Sequence, residues 1–257
     1  LNVSEEWLRP TLRPSLLGTL AANQGHGEGP FRLFEVGRVF LPRPDDLPEE
    51  RQVVSGILAG QRNESSWLET GGALDFFDAK GIVEVLLERL GVTAVYEPAD
   101  IPFYHPGRCA EIKADGATLG SVGEIRASTA DKFDLRPRPV AFFELRLDNL
   151  LQAIPDAAKH FSQISRFPQA TRDLALVLPA NVTAAAVEGI INRHRMVVRV
   201  ELFDIYIGEN IASGTKSLAY HVYFQANDRT LTTEEVNRSL QGLLRTLERE
   251  EQASLRS

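Results

Sequence analysis

The residues of this chain best suited to chemistry lie in its last third, and the chemistry they suit is recognition rather than bond making. Residues 217–225 alternate, so that Leu218, Tyr220, Val222 and Phe224 share one face while Ala219, His221 and Tyr223 share the other. Aromatic rings on an open sheet face can stack unpaired nucleobases. His221 and Tyr223, with Phe203 from a neighbouring strand, are the candidates for that task. Arg166, Arg172, Arg199, Lys216 and Arg229 are the cations of this part of the chain that can contact phosphates. Each has a plainer alternative. Arg229 precedes a helix cap and can simply brace it, Arg172-Asp173 can be an edge pair, and Tyr206 and Tyr220 can be core.

No catalytic set stands beside these. The five histidines (His26, His105, His160, His194 and His221) are scattered, with no pair four apart on a helix, whereas a zinc site needs three or four clustered ligands. There is no Gly-Lys-Ser/Thr phosphate loop and no Gly-x-Ser-x-Gly elbow. Gly25-His26-Gly27-Glu28-Gly29-Pro30 is glycine-rich but follows a helix, where a phosphate cradle would precede one. Cys109, the single cysteine, excludes an internal disulfide and a thiolate pair for a metal, and fits a reducing cytosol. The expectation is therefore no catalytic residue and no metal ligand.

The elements that must position the candidate face read β-α-β-β-α-β, a ferredoxin-like plan. A strand over 173–178 is followed by a helix capped by Asn181 or Thr183 and carrying Val187, Ile190 and Ile191. A second strand over 197–206 puts Val198, Val200 and Leu202 on one face. Thr232 and Glu235 form a capping box that opens a last helix with the stripe Val236, Leu240, Leu243, Leu244 and Leu247. Residues 253–256 can add a short edge strand. Two helices then cover one sheet face and leave the other free.

Upstream, Pro14 suits the first turn of a helix over 14–22 with Leu16, Leu17, Leu20 and Ala21 as its stripe. Residues 31–41 read as a strand pair or as one strand bent at Gly37, and 53–59 as a further strand. A helix over 78–90 stops at Gly91, and Asp115-Gly116 turns a hairpin between 109–113 and 118–123. Strands outnumber helices, which predicts an antiparallel sheet with flanking helices. The fold class is α+β. The division is 1–150, a linker over 151–164, and 165–257.

The chain of 257 residues carries a formal charge of −7, which argues against a strong nucleic-acid binder. That charge is uneven: from His160 onward, eleven Lys and Arg balance eleven Asp and Glu. The last domain is thus no basic clamp, and any RNA contact must be local. No apolar run reaches the roughly 18 residues of a membrane helix, and the first twelve residues hold Glu5 and Glu6 rather than a signal core. Residue 1 is Leu and the only methionine is Met196, so the chain is expected to be part of something longer or to have lost its start.

Several segments carry a family resemblance in order. They are Leu8-Arg9-Pro10-Thr11-Leu12-Arg13-Pro14-Ser15-Leu16-Leu17, Leu33-Phe34-Glu35-Val36-Gly37-Arg38-Val39-Phe40, Asp78-Ala79-Lys80-Gly81, and His105-Pro106-Gly107-Arg108. Gly120-Ser121-Val122-Gly123-Glu124 follows, then Phe167-Pro168, Arg172-Asp173-Leu174, and the final stretch through Leu202-Phe203-Asp204-Ile205-Tyr206, Lys216-Ser217-Leu218-Ala219-Tyr220 and Asp228-Arg229-Thr230-Leu231. Together they resemble the C-terminal part of the bacterial phenylalanyl-tRNA synthetase beta-subunit family. The family continues Gly123-Glu124 with Leu-His-Pro, whereas Ile125-Arg126-Ala127 stands here, so that loop has diverged.

The resemblance implies a class II synthetase-like but non-catalytic sheet module over 1–150 and a ferredoxin-fold anticodon-binding domain over 165–257. It implies an alpha subunit and phenylalanine tRNA as partners, a cytoplasmic (αβ)2 ligase, and no membrane. ATP and magnesium would serve the whole enzyme and none would be held by this chain. Arg32 and Glu35, three apart on a strand, face opposite ways and without a bulge cannot form the same-side pair that handles ATP in an active class II site; Arg38 can substitute sterically, and a structural ion pair or subunit contact is the alternative. Two other readings compete: a free-standing paralogue that binds proteins, which the neutral last domain suits, and an amino-acid-sensing module, which rests on fold analogy.

Overall fold

The computed structural model describes residues 7–27, 29–63, 67–68, 71–136, 139–156 and 165–256. The chain forms two compact units, Leu1–Ala158 and Lys159–Ser257. Antiparallel sheets dominate both, and the α+β class expected from the alternation is the observed one.

The first unit runs α1 (Arg13–His26), β1 (Phe31–Leu41), β2 (Glu49–Ala59), α2 (Phe76–Leu90), β3 (Val95–Pro98), β4 (Tyr104–Ala114), β5 (Ala117–Ile125), α3 (Ala127–Asp131), β6 (Val140–Arg146) and α4 (Leu147–Ala153). Its six strands lie in the order β1-β2-β6-β5-β4-β3. One sheet face buries Leu58, Ile112, Val122 and Leu145 under Ala79, Val83 and Leu87 of α2 and Leu150 of α4. The opposite face buries Ile57, Tyr104, Cys109 and Phe142 under Leu16, Leu17 and Leu20 of α1. Alternation on the strands therefore feeds two apolar layers from one sheet.

Local signals explain the helix ends. Asp75 caps α2, accepting from the Phe77 N–H at 2.8 Å, while Asp78 accepts from the Asp75 N–H at 2.8 Å. The helix thus begins ahead of the expected 78. Gly91 ends it in the left-handed region at φ 75°, which glycine enters without strain. Residues 31–41 form one strand whose register with β2 runs without a slip from Phe31↔Ala59 to Leu41↔Glu49. Gly37 makes no bend there. A Cβ at that position would come within 2.5 Å of the Arg9 guanidinium, which lies against the strand. Residues 147–153, read partly as linker, are helical because Leu150 packs into the core and Asn149 Nδ2 donates to the Thr118 carbonyl at 2.7 Å. Residues 157–164 of the expected linker, with His160, lie outside the described residues. At the diverged loop, Arg126 precedes α3 and its Nε donates to the Tyr104 carbonyl at 2.7 Å.

The second unit runs β7 (Ala170–Pro179), α5 (Ala184–Asn192), β8 (Val197–Tyr206), β9 (Thr215–Phe224), α6 (Thr233–Glu251) and β10 (Ser254–Leu255), with sheet order β10-β7-β9-β8. Leu174, Leu176 and Leu178 of β7 and Leu218, Tyr220, Val222 and Phe224 of β9 are buried under Val187, Ile190 and Ile191 of α5 and Val236, Leu243 and Leu247 of α6. Thr183, not Asn181, caps α5: its Oγ1 accepts from the Ala186 N–H at 3.2 Å. The Thr232–Glu235 capping box forms as its spacing predicts, with reciprocal bonds of 2.9 and 3.3 Å.

Strand β8 departs from simple alternation. Its register with β9 slips between Val197 and Arg199 and again between Leu202 and Asp204. Each bulge inserts one residue and turns the following side chains over. Val200 and Leu202 face the core as expected, but Val197 joins them in place of Val198, which is exposed.

Candidate nucleic-acid interface

Directly opposed residues of an antiparallel pair share a sheet face, so the register of β7, β9 and β8 assigns the surface left uncovered by the helices. One row joins Thr171, Tyr223 and Arg199, the next joins Asp173, His221 and Glu201, and the third joins Ala175, Ala219 and Asp204. The second β8 bulge keeps both Phe203 and Asp204 on this side, and it brings Tyr206 there as well, opposite Ser217. Tyr220, by contrast, is fully buried and donates to the Ala184 carbonyl at 3.5 Å.

Two ring clusters occupy the face. The rings of Phe203 and His221 stack at 4.0 Å with 15° between their planes, and His221 Nδ1 lies 2.7 Å from Asp173 Oδ1. Beside them the Arg199 guanidinium sits 4.0 Å over the Tyr223 ring. Glu201 ties that second pair together, pairing with Arg199 Nη1 at 3.0 Å and accepting from the Tyr223 hydroxyl at 2.8 Å. At the far end Arg256 lies 4.7 Å over the ring of Tyr206.

The structure thus brings His221, Tyr223, Phe203 and Arg199 together and separates the other candidates from them. Arg172 opposes the buried Val222, and Lys216 opposes the buried Leu178, so both leave their strands on the helix-covered side. Arg172 Nη1 donates to the Thr171 carbonyl at 2.9 Å and makes no edge pair with Asp173, which is on the opposite face. Arg229 pairs with Asp228 at 3.1 Å and with Glu235 at 2.6 Å, and its guanidinium holds the Glu235 carboxyl below the usual carboxylate range. That is a brace on the first turn of α6. Arg166 stands in the segment before β7. Asp173 and Glu201 were not selected from the sequence. Alternation puts Asp173 in phase with the open face, but only the strand register shows that it meets His221.

In the first unit the floor of the sheet is polar at one row, where Glu35, Ser55, Glu144, Ser121 and Glu111 are successive cross-strand neighbours. The chain fills that floor itself. Thr11 Oγ1 and Ser55 Oγ donate to Glu144 at 3.1 and 3.3 Å, Arg13 pairs with it at 3.4 Å, and the Arg13 guanidinium lies 4.4 Å over Phe103. Glu35 is bound by Arg9 at 2.6 Å and by Ser15 Oγ at 3.0 Å, and Arg32 points to the other face, so the two form no pair. Phe34 and Val36 on β1 and Phe77, Ile82 and Val85 on α2 are exposed apolar side chains. A groove of about 290 Å³ runs between the two elements, lined by Phe34, Val54, Ile82, Leu86 and Phe143. Among the described residues no group of three or more His, Cys, Asp or Glu is placed to hold a metal ion, and no helix is long and apolar enough to cross a membrane.

Comparison with known proteins matches both units. Residues 1–147 fit the model of the phenylalanyl tRNA synthetase beta chain CLM domain, and residues 165–256 fit that of the ferredoxin-fold anticodon binding domain. The whole chain is 39% identical to the phenylalanine–tRNA ligase beta subunit of Dehalococcoides mccartyi, covering 32% of that protein. Over 97% of its length it is 36% identical to the corresponding subunit of Xanthomonas oryzae pv. oryzae, again covering 32%. The chain therefore spans about a third of the length of the curated relatives it matches. Among solved structures, a pyrrolysyl tRNA synthetase of Desulfitobacterium hafniense aligns over 56% of this chain and 49% of its own at TM-score 0.42 and 17% identity.

Proposed function

The chain belongs to the phenylalanyl-tRNA synthetase beta-chain family, and on that premise we propose that it works as the C-terminal part of a phenylalanine–tRNA ligase beta subunit. Its second unit binds the anticodon region of phenylalanine tRNA. Its first unit is a non-catalytic scaffold for the catalytic alpha subunit, which spends ATP with magnesium to load the tRNA, in the cytoplasm. The observation that carries this reading is the open sheet face of a domain matching anticodon-binding relatives, on which His221, Phe203, Tyr223 and Arg199 present ring surfaces beside the balanced charge of this region. Rings without excess cations suit unpaired bases more than backbone phosphates.

Two features of the first unit support the scaffold role. The sheet floor around Glu144 is engaged by Arg13 and Thr11 of the chain itself. The apolar stretch from Phe34 to Val85 is of the kind that marks a protein contact. Binding of the purified chain to phenylalanine tRNA and to the same tRNA with an exchanged anticodon tests the first role. Equal affinity for the two would sink it. Co-purification with the alpha subunit, and its loss on Phe34→Asp together with Ile82→Asp, tests the second.

A further inference from the structure

The clusters on the open face share a construction. Asp173 Oδ1 lies 2.7 Å from Nδ1 of the His221 imidazole and so restrains the rotation of the ring, while Phe203 covers one ring surface. In the other cluster Glu201 holds the hydroxyl end of Tyr223 and the guanidinium of Arg199 at once, and Arg199 covers one surface of the ring. Each ring therefore has one surface covered by a neighbour and its polar atom tied by a carboxylate, and both residues stay partly exposed. His221 and Tyr223 stand two residues apart on β9, about 6.8 Å at the rise of an antiparallel strand, so each can serve a different base. Asp173, Glu201 and Asp204 make the face poor for phosphate, and Arg199 is already paired. Base surfaces are available to side chains only where the nucleic acid is unpaired and unstacked.

We propose that Asp173 and Glu201 are positioning residues of a two-ring stacking platform for unpaired ribonucleotides. Asp173 holds His221 against Phe203, Glu201 holds Tyr223 against Arg199, and each pair offers its remaining ring surface to one base. The assignment rests on the reading of this face as the tRNA contact. It differs from a pair of surface ion bridges in one respect: the carboxylates act through ring orientation, so a neutral acceptor of the same shape can replace them.

The probe is a stem-loop transcript of the anticodon arm of phenylalanine tRNA carrying 2-aminopurine at successive loop positions, titrated with the full chain and read by both affinity and fluorescence quenching. Each base that loses its ring is expected to cost about 5- to 150-fold in affinity, with the quenching of that base abolished, in His221→Ala and Tyr223→Ala. Asp173→Ala and Glu201→Ala lose part of both signals. Asp173→Asn and Glu201→Gln, which keep an acceptor oxygen, restore them, as removal of a merely structural charge would not. Unchanged melting of each variant separates these effects from unfolding. A wild-type chain that binds while Asp173→Ala and Glu201→Ala bind and quench equally well overturns this assignment alone. A wild-type chain that binds no stem-loop overturns the reading of the face and the assignment with it.

Discussion

The salt dependence of RNA binding follows from the charges on the open face. Two cationic side chains lie on it among the described residues, Arg199 and Arg256, and the first is already paired with Glu201. The face can then neutralise at most about two phosphates. The slope of log affinity against log salt is about −0.7 per phosphate for a single strand and about −0.9 for a duplex, which gives about −1.4 to −1.8 here. Raising monovalent salt from about 50 to about 200 mM should weaken binding only about 7- to 12-fold, where a protein with six to ten phosphate contacts loses about 10³- to 10⁵-fold. Fluorescence anisotropy of a labelled anticodon stem-loop, titrated with the full chain at three salt concentrations, measures the slope directly. A loss of a hundredfold or more over that range would refute the reasoning. It would mean that cations other than Arg199 and Arg256, such as Arg172 or Lys216 on the helix-covered side, carry the contact instead.

Three further outcomes are expected. Thr232→Ala removes the hydroxyl that accepts from the Glu235 N–H, so the chain should lose about 1 kcal/mol, seen as a fall of about 4–8 °C in the melting of the second unit. An alanine Cβ at Gly120 would collide with the Glu144 carbonyl oxygen across β5 and β6, whereas at Gly18 in α1 nothing lies within 4 Å. Gly120→Ala should therefore cripple soluble expression, measured by the soluble yield, while Gly18→Ala should raise stability by about 1 kcal/mol through helix propensity, measured by denaturant titration. His194 is half-buried and its Nδ1 accepts from the Met196 N–H at 3.4 Å; burial, then the charge of Arg195, lowers its pKa below the ordinary 6.5. The unfolded chain takes up that proton at higher pH than the folded one. The stabilisation is thus complete above 6.5 and is lost as pH falls from there through the folded value. Urea midpoints at about pH 8 and about pH 5 should differ less in His194→Gln than in the parent; an identical difference would contradict the assignment.

Much of the fold could be read before the structure because the signals were local. The capping box at Thr232 and Glu235, Gly91 behind its helix, and the alternation of Leu218, Tyr220, Val222 and Phe224 each depend on residues within one turn or one strand of one another. The misreadings came where a long-range partner decided. The sequence reads as linker from 151, yet Leu147–Ala153 is a helix, because its one buried side chain, Leu150, fits a core built from distant strands. The face by which Arg172 and Lys216 leave their strands is likewise set by pairing: they oppose the buried Val222 and Leu178 on strands distant in sequence, which puts them on the helix-covered side.

The sequence by itself determined the two-part plan, the ferredoxin-like order of the second part and the ring types on its free face, since composition, period and caps are properties of neighbouring residues. Only the tertiary structure decided what those rings are held by. The bulges in β8 carry Phe203 onto His221 and Tyr206 onto the same face, and the register of β7 and β8 against β9 sets Asp173 and Glu201 on either side of His221. Register is fixed by the packing of whole strands against a core, and a slip of one residue would turn each of these side chains to the helix-covered side.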